Sequence, residues 1–330
     1  MRFSQESIRI VKNDPAGNDT VKTYRQEFVM SGEWWSNLRL VLRHTVVIGT
    51  GDVPIALGGF NILKGLTLKT SRNEVPFSIP GAGLYWLNLF LQGIKPSHDP
   101  ILKASGEYLA TIDIPFYFPF MNYWDDLLLK TKNYSFVELE LALGGIADLL
   151  GTPGSATLTT KADIMLSRSK TSFLKDQAEK AEAHSAAIFV KKLAPFNPAS
   201  QPYIQIETSP DLALFGFLAM AYSGASAGKS FTGTPADILD DINWKDNVFP
   251  AGFVQGATLS DFKAERNKYA GRSGADLTGM YPHLFSEEGS ILSAYPCGGK
   301  TDIRLEVGSL IGSPSNPQVD LILFGMRTLR

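Results

Sequence analysis

The sequence predicts an all-β chain built as two related β-domains in tandem. Three observations predict it: short runs with period-two alternation, glycine- and proline-rich turns between them, and one strand–turn–strand unit that occurs twice. Leu38, Leu40 and Leu42 alternate with Arg39 and Arg43, and Val137, Leu139, Leu141 and Leu143 alternate with Glu138 and Glu140. Ile303, Leu305 and Val307 alternate with Arg304 and Glu306, and Val319, Leu321 and Leu323 form a fourth row. Successive strand residues point to opposite faces, so each row places apolar side chains on one face of an antiparallel sheet. The stretches "GTGDVP", "SIPGAG", "GTPGS" and "GSPSNP" punctuate these runs, and many short strands separated by such turns favour a sandwich or barrel.

The repeated unit is a strand, an L-[LI]-G-[ST]-P turn and a second strand. "LLGTPGS" starts at Leu149, between "FVELELAL" and "KADIMLSR"; "LIGSPSN" starts at Leu310, between "TDIRLEV" and "QVDLILFGMR". This divides the chain into an N-terminal arm (1–20), a first domain (21–170), a partly helical connector (171–193) and a second domain (194–330) with an insertion around 224–280. Helical signals are few. Ser172 to Leu193 is rich in helix formers. "TLSDFKAERNKYAG" reads as a helix with Ser260 as its N-cap. "NYWDDLLLK" and "TPADILDDINW" read as short helices inside long loops.

Composition narrows the function. Apolar residues make up 44% of the 330 residues and charged residues 19%, enough for a full core. The net charge of -2 gives no bulk field for tight nucleic-acid binding, which leaves only a local basic patch, and no direct sequence-specific binding is expected. Cys297 is the one cysteine, so no intramolecular disulfide is expected; it reads as a small residue of the turn "YPCGG". His44, His98, His184 and His283 are far apart and form no H-x-x-x-H pair, so no metal site is expected. The N-terminus lacks a signal-like apolar block, and Leu212 to Tyr222 falls short of the ~20 residues that cross a bilayer as a helix, so a soluble protein is expected.

One stretch touches two catalytic signatures. Ser223 to Ser230, "SGASAGKS", contains G-x-S-x-G and misses a phosphate-binding loop only because Ser223 replaces its first glycine. As an esterase, Ser226 would be the nucleophile, His283 the base, and Asp237, Asp240, Asp241 or Asp261 the acid. Gly233 and Pro235 oppose the helix that both signatures require after the loop. "LGGF" at Leu57 to Phe60 is a weak substitute for an oxyanion segment. The stretch is therefore expected to be a loop of the second domain, with Lys229 a solvated charge. The aromatic runs "EWW", "LYWLNLF" and "IPFYFPFMNYW" allow a glycan-binding or a nucleic-acid stacking surface. "PFYFPF" is too apolar for an exposed loop, and burial between subunits or between the two domains is the favoured reading.

With "LGGFNILKGLTLK" and "IPGAGLYWLNLF" in its first half, this tandem arrangement resembles the double jelly-roll major capsid proteins of icosahedral, tailless bacteriophages that enclose a lipid membrane. The resemblance runs from about Val21 to Arg330 and rests on architecture and strand–turn rhythm. It implies two tandem eight-stranded jelly rolls with a few short helices in connectors and insertions. It further implies a non-enzymatic homotrimer with a pseudo-hexagonal outline, tiling a shell in the virion after synthesis in the host cytoplasm. The implied partners are neighbouring capsomers, penton, spike or minor capsid proteins, and the internal membrane. No catalytic, cofactor-binding or metal-ligating residue is carried over.

Overall fold

A computed structural model of the chain describes residues 4–16, 21–29, 34–55, 57–93, 96, 105–116, 118–120, 129–152, 155–169, 186–206, 209–226, 229–248, 254–270, 277–286 and 293–328. Internal contacts divide the chain into two units. One comprises Met1–Asn88, Lys95–Phe118 and Trp124–Ile188; the other comprises Leu89–Ile94, Pro119–Tyr123 and Phe189–Arg330.

The first unit is built on β1 (Ser4–Ala16), β2 (Lys22–Val29), β3 (Trp34–Val47), β4 (Leu63–Thr70), β5 (Phe77–Ile79), β6 (Gly106–Pro115), β7 (Phe136–Leu143) and β8 (Thr157–Ser169). They pair antiparallel in two orders, β1-β8-β3-β6 and β2-β7-β4-β5. The alternation seen in the sequence sets the inward faces. Leu38, Leu40 and Leu42 are buried on β3, and Val137, Leu139, Leu141 and Leu143 on β7. Phe28 of one sheet meets Trp35 of the other edge-on at 5.2 Å.

The second unit uses β9 (Ala186–Lys192), β10 (Tyr203–Gln205), β11 (Leu212–Ser223), β12 (Leu239–Lys245), β13 (Val254–Ala257), β14 (Met280–Leu284), β15 (Arg304–Leu310) and β16 (Gln318–Thr328). Its sheets run β9-β16-β11-β14 and β10-β15-β12-β13. Each strand number is that of the first unit plus eight, so the same sheet order is built twice. This order, with non-consecutive strands side by side in both sheets, is a jelly roll. Trp244 of β12 stacks on Phe217 of β11 at 5.3 Å, joining the two sheets through a core that also holds Leu305, Val307, Leu321 and Leu323.

The repeated turns fall at matching places. "LLGTPGS" connects β7 to β8, and "LIGSPSN" connects β15 to β16, the last two strands of each unit. Both units also place a helix between their sixth and fifth strands: α2 (Gly81–Gln92) in the first and α3 (Leu259–Ala270) in the second, with α1 (Gly58–Asn61) a single turn before β4. Residues 224–279 are nearly as long as 48–105, the matching span of the first unit. The expected insertion around 224–280 therefore holds two jelly-roll strands and a helix that the first unit has too.

Several local expectations change. Residues 4–16, read as part of an arm, pair with β8 over most of their length. The "TPADILDDINW" helix is replaced by β12, where Leu239, Ile242 and Trp244 are buried and the left-handed Asp241 (φ 52°) breaks the alternation. The N-cap of α3 is Thr258 rather than Ser260: Asp261 Oδ2 accepts both the Thr258 N–H and the Thr258 hydroxyl at 2.8 Å. Of the Ser172 to Leu193 helix, residues 172–185 lie outside the described residues and 186–192 are strand β9. Residues 122–128 of "NYWDDLLLK" also lie outside them, and Leu129–Lys130 pair with Trp34 and Trp35.

Helix α2 has no sequence-stripe signature because it is apolar all round, as a fully buried helix is. Its first residue must be glycine: a Cβ on Gly81 would stand 2.3 Å from the Phe60 carbonyl oxygen. Asn88, its buried amide, donates to the Asp113 carbonyl at 2.7 Å. The described residues of the apolar stretches are covered within the chain. Trp34, Trp35, Phe116 and Phe118 are buried, while Phe120 and Phe90 pack on Phe324 at 6.3 and 6.1 Å. These contacts cover the second face of β16, whose Val319 to Phe324 are all buried.

Candidate functional site

The described residues of the stretch, 223–226 and 229–230, lie at the end of β11 and in the loop of the hairpin that follows it. Strand β11 ends at Ser223, and the chain returns with Thr234 and Pro235 paired to Ser223 and Tyr222. Gly233 closes this turn at φ 88°, where a Cβ would meet the Ser223 carbonyl at 2.7 Å. Among the described residues no helix directly follows Ser226, since Thr234 and Pro235 already pair back to β11. His283 lies on β14 opposite Phe217, and Ser223 is six residues further along β11, roughly 20 Å at strand rise. The aspartates are engaged elsewhere: Asp237 with Arg266, Asp240 with the Leu259 N–H, Asp241 with Asn243, and Asp261 with Thr258. The structure therefore does not bring Ser226, His283 and an acid together.

The lysine of the stretch is held by its backbone. The Lys229 carbonyl accepts from Thr232 Oγ1 at 3.0 Å and from Gln318 Nε2 at 2.5 Å. Beneath the loop lies a buried ion pair, Lys192 with Asp320, at 2.9 Å; the Lys192 ammonium also donates to Ser230 Oγ, and Asp320 Oδ2 accepts the Phe231 N–H at 2.7 Å. The loop is thus anchored from below through Ser230, Phe231 and the Lys229 carbonyl.

Two further ion pairs hold the second unit, one buried and one joining a buried arginine to a half-buried aspartate. Lys300 donates to Asp246 Oδ2 at 2.7 Å and sits over the Tyr295 ring at 3.8 Å; the Tyr295 hydroxyl donates to the same carboxylate. Arg266 of α3 makes a two-pronged bond to Asp237 at 2.7 and 2.9 Å and donates to the Leu277 carbonyl at 2.8 Å. Burial would raise the Asp237 carboxyl, but the Arg266 bonds and the Gly279 N–H together hold it below its ordinary value. Beside the Lys300 pair, Cys297 is 1% exposed, and burial pushes its thiol up to about 12, so it is an inert core residue.

In the first unit the buried histidine is structural. His44 Nε2–H donates to the Gly59 carbonyl, which only accepts, so Nδ1 accepts from Thr160 Oγ1; both distances are 3.0 Å. Burial lowers His44 to about 4. Between pH 6.5 and 4 the unfolded chain therefore binds a proton that the folded one excludes, and stability rises with pH across that window. We expect about 3 kcal/mol to be lost as pH falls from 6.5 to 4. Urea midpoints at pH 7 and pH 4 check this: the fall should be smaller in His44→Gln, and equal falls would contradict it. His98 and His184 lie outside the described residues. Among the described residues, no group of three His, Cys, Asp or Glu side chains could hold a metal ion.

The outward faces of the sheets carry paired charges. Arg9 and Arg43 converge on Asp163, whose carboxyl is held low chiefly by its bond to Arg9. Arg39 grips Asp113, Arg25 and Lys69 share Glu140, and Lys245 and Arg304 share Glu306. Tyr203 is the one large aromatic that is exposed among the described residues, and Arg304 stacks on it at 5.6 Å, so no aromatic sugar platform is present there. No helix of the described residues is long and apolar enough to cross a membrane.

No protein-family profile matches the chain, and no curated protein sequence matches it. Solved structures do match, over nearly the whole chain. The major capsid protein P2 from bacteriophage PM2 superimposes with a TM-score of 0.61 at 12% identity, covering 99% of this chain and 98% of that one. The MCP of STIV, Sulfolobus Turreted Icosahedral Virus, gives 0.69 at 13% identity, covering 99% and 97%. The PBCV-1 virus capsid gives 0.57 at 11% identity, covering 98% and 94%. At such identities the likeness is one of fold. The chain has the double jelly-roll fold of these proteins from end to end.

Proposed function

We propose that this chain is a viral major capsid protein, a structural subunit without catalytic, cofactor or metal residues. The observation that carries the reading is the duplicated sheet order, β1-β8-β3-β6 and β9-β16-β11-β14, in a chain matched along its full length by capsid proteins of three viruses. Three copies of a chain with two similar units give six similar bodies around one axis. Such a ring is pseudo-hexagonal and can tile an icosahedral shell. The net charge of -2 keeps repulsion between many copies low.

In this reading residues around 171–193 connect the two jelly rolls, and the protein is made in the host cytoplasm and ends in the virion. The capsomer contacts its neighbours and penton, spike or minor capsid proteins, above an internal membrane. Among the described residues, the esterase reading has no assembled triad to support it, and the glycan reading no exposed aromatic platform. Light-scattering mass of the purified protein tests the trimer. The expected value is three times the 36.1 kDa chain mass, and a protein that stays at one chain mass at every concentration contradicts it.

A further inference from the structure

We propose that Lys192 and Asp320 join through an intramolecular amide bond that covalently closes the second jelly roll. The two residues lie on β9 and β16, neighbouring strands that begin and end the unit. The Leu193 N–H donates to the Leu321 carbonyl at 2.8 Å, which brings the two side chains to one level. Both are withdrawn from water: the Lys192 side chain is 9% exposed and that of Asp320 is 0% exposed. The amine faces the Phe231 ring at 5.6 Å and donates to Ser230 Oγ.

The carboxylate is held asymmetrically. Oδ2 accepts the Phe231 N–H at 2.7 Å and Gln318 Nε2 at 3.4 Å. Oδ1 has Nζ 2.9 Å away yet has no hydrogen-bond partner, so the amine approaches without hydrogen-bond geometry. The other buried lysine–aspartate pair differs. In Asp246, Oδ2 accepts proper bonds from Lys300 and Tyr295, and Oδ1 accepts the Val248 N–H at 2.6 Å. That pair has the arrangement of a satisfied ion pair, whereas Asp320 presents one oxygen held by N–H donors and one facing the amine.

The reaction needs no added reagent. A buried ammonium and carboxylate carry the desolvation cost of two charges, which proton transfer between them removes. The neutral amine then attacks Cγ, and charge gathers on Oδ2, where the Phe231 N–H and Gln318 amide donate to it. The Cγ–Nζ bond forms and the Cγ–Oδ1 bond breaks. Oδ1 leaves as water with two of the three ammonium hydrogens, and the third stays on the amide nitrogen. The product ties strand β9 to strand β16 and encloses nearly the whole second unit in one covalent loop, which lowers the entropy of its unfolded state.

Mass spectrometry of the denatured wild-type protein tests this. The intact mass is expected to fall below the sequence mass by one water molecule. Trypsin should release a branched peptide joining the Lys192 and Asp320 segments, with no cleavage after Lys192. The Lys192→Arg variant keeps the cation without the amine and should have its full sequence mass and a lower melting temperature. A wild-type chain of full mass that trypsin cleaves after Lys192 overturns the proposal, as does a branch found at Lys300 instead.

Discussion

Replacing Trp244 by alanine is expected to destabilise the second unit by about 3–5 kcal/mol, the range for deleting a large aromatic from a packed core. Trp244 is fully buried. Its ring stacks on Phe217 at 5.3 Å and meets Phe285 and Tyr295 at 5.0 and 5.7 Å, so its loss opens a cavity bounded by both sheets and by the Lys300–Asp246 pair. Rigid strands on either side limit how far that cavity can collapse. Urea unfolding of Trp244→Ala against wild type measures the effect. A loss under about 1 kcal/mol would show that the two sheets are not joined through this residue.

A comparable loss is expected from removing one partner of the Arg266–Asp237 pair. Arg266→Ala leaves the Asp237 carboxylate without its main counter-charge, and Asp237→Ala leaves a guanidinium buried beside the Leu277 carbonyl. Breaking one side of a buried pair costs about 3–5 kcal/mol, because the remaining charge stays desolvated. The double variant should recover part of that cost, which a double-mutant cycle in urea reads directly. Lys263, 3.5 Å from Asp237 and more exposed, should matter less. Strictly additive single losses would contradict the coupling. The Asp237 carboxyl is held below its ordinary value, so this contribution is complete near neutral pH and fades in acid as pH falls through the lowered folded-state value.

Much of the architecture was legible because strand periodicity is local. The rows at Leu38, Val137 and Ile303 each end as one buried face of a sheet. The paired turns at Leu149 and Leu310 mark equivalent connections in the two units. Legibility failed where burial is two-sided or the backbone irregular. Helix α2 is surrounded by apolar groups, so it has no polar face to reveal its period, and its glycines argue against a helix although Gly81 is there for close packing. Strand β12 hides behind the left-handed Asp241, which shifts the alternation by one residue. The N-cap of α3 is legible as T-x-x-D at Thr258, two residues before Ser260.

The candidate site shows the same division. That "SGASAGKS" is a loop followed from Gly233 and Pro235, the residues that close its hairpin. What anchors it was invisible, because Lys192, Asp320 and Gln318 come together only when the first and last strands of the unit lie side by side. Pairs formed by sheet topology leave no mark in local spacing, and Arg266–Asp237 and Lys300–Asp246 belong to the same class.

The proposed function requires three chains, each with two jelly rolls, to form a threefold shell unit. Electron cryo-microscopy of the purified protein tests it most directly. The expected result is a ring of three chains whose six jelly rolls give a near-hexagonal outline. Single chains, or pairs related by a twofold axis, at all concentrations would contradict it.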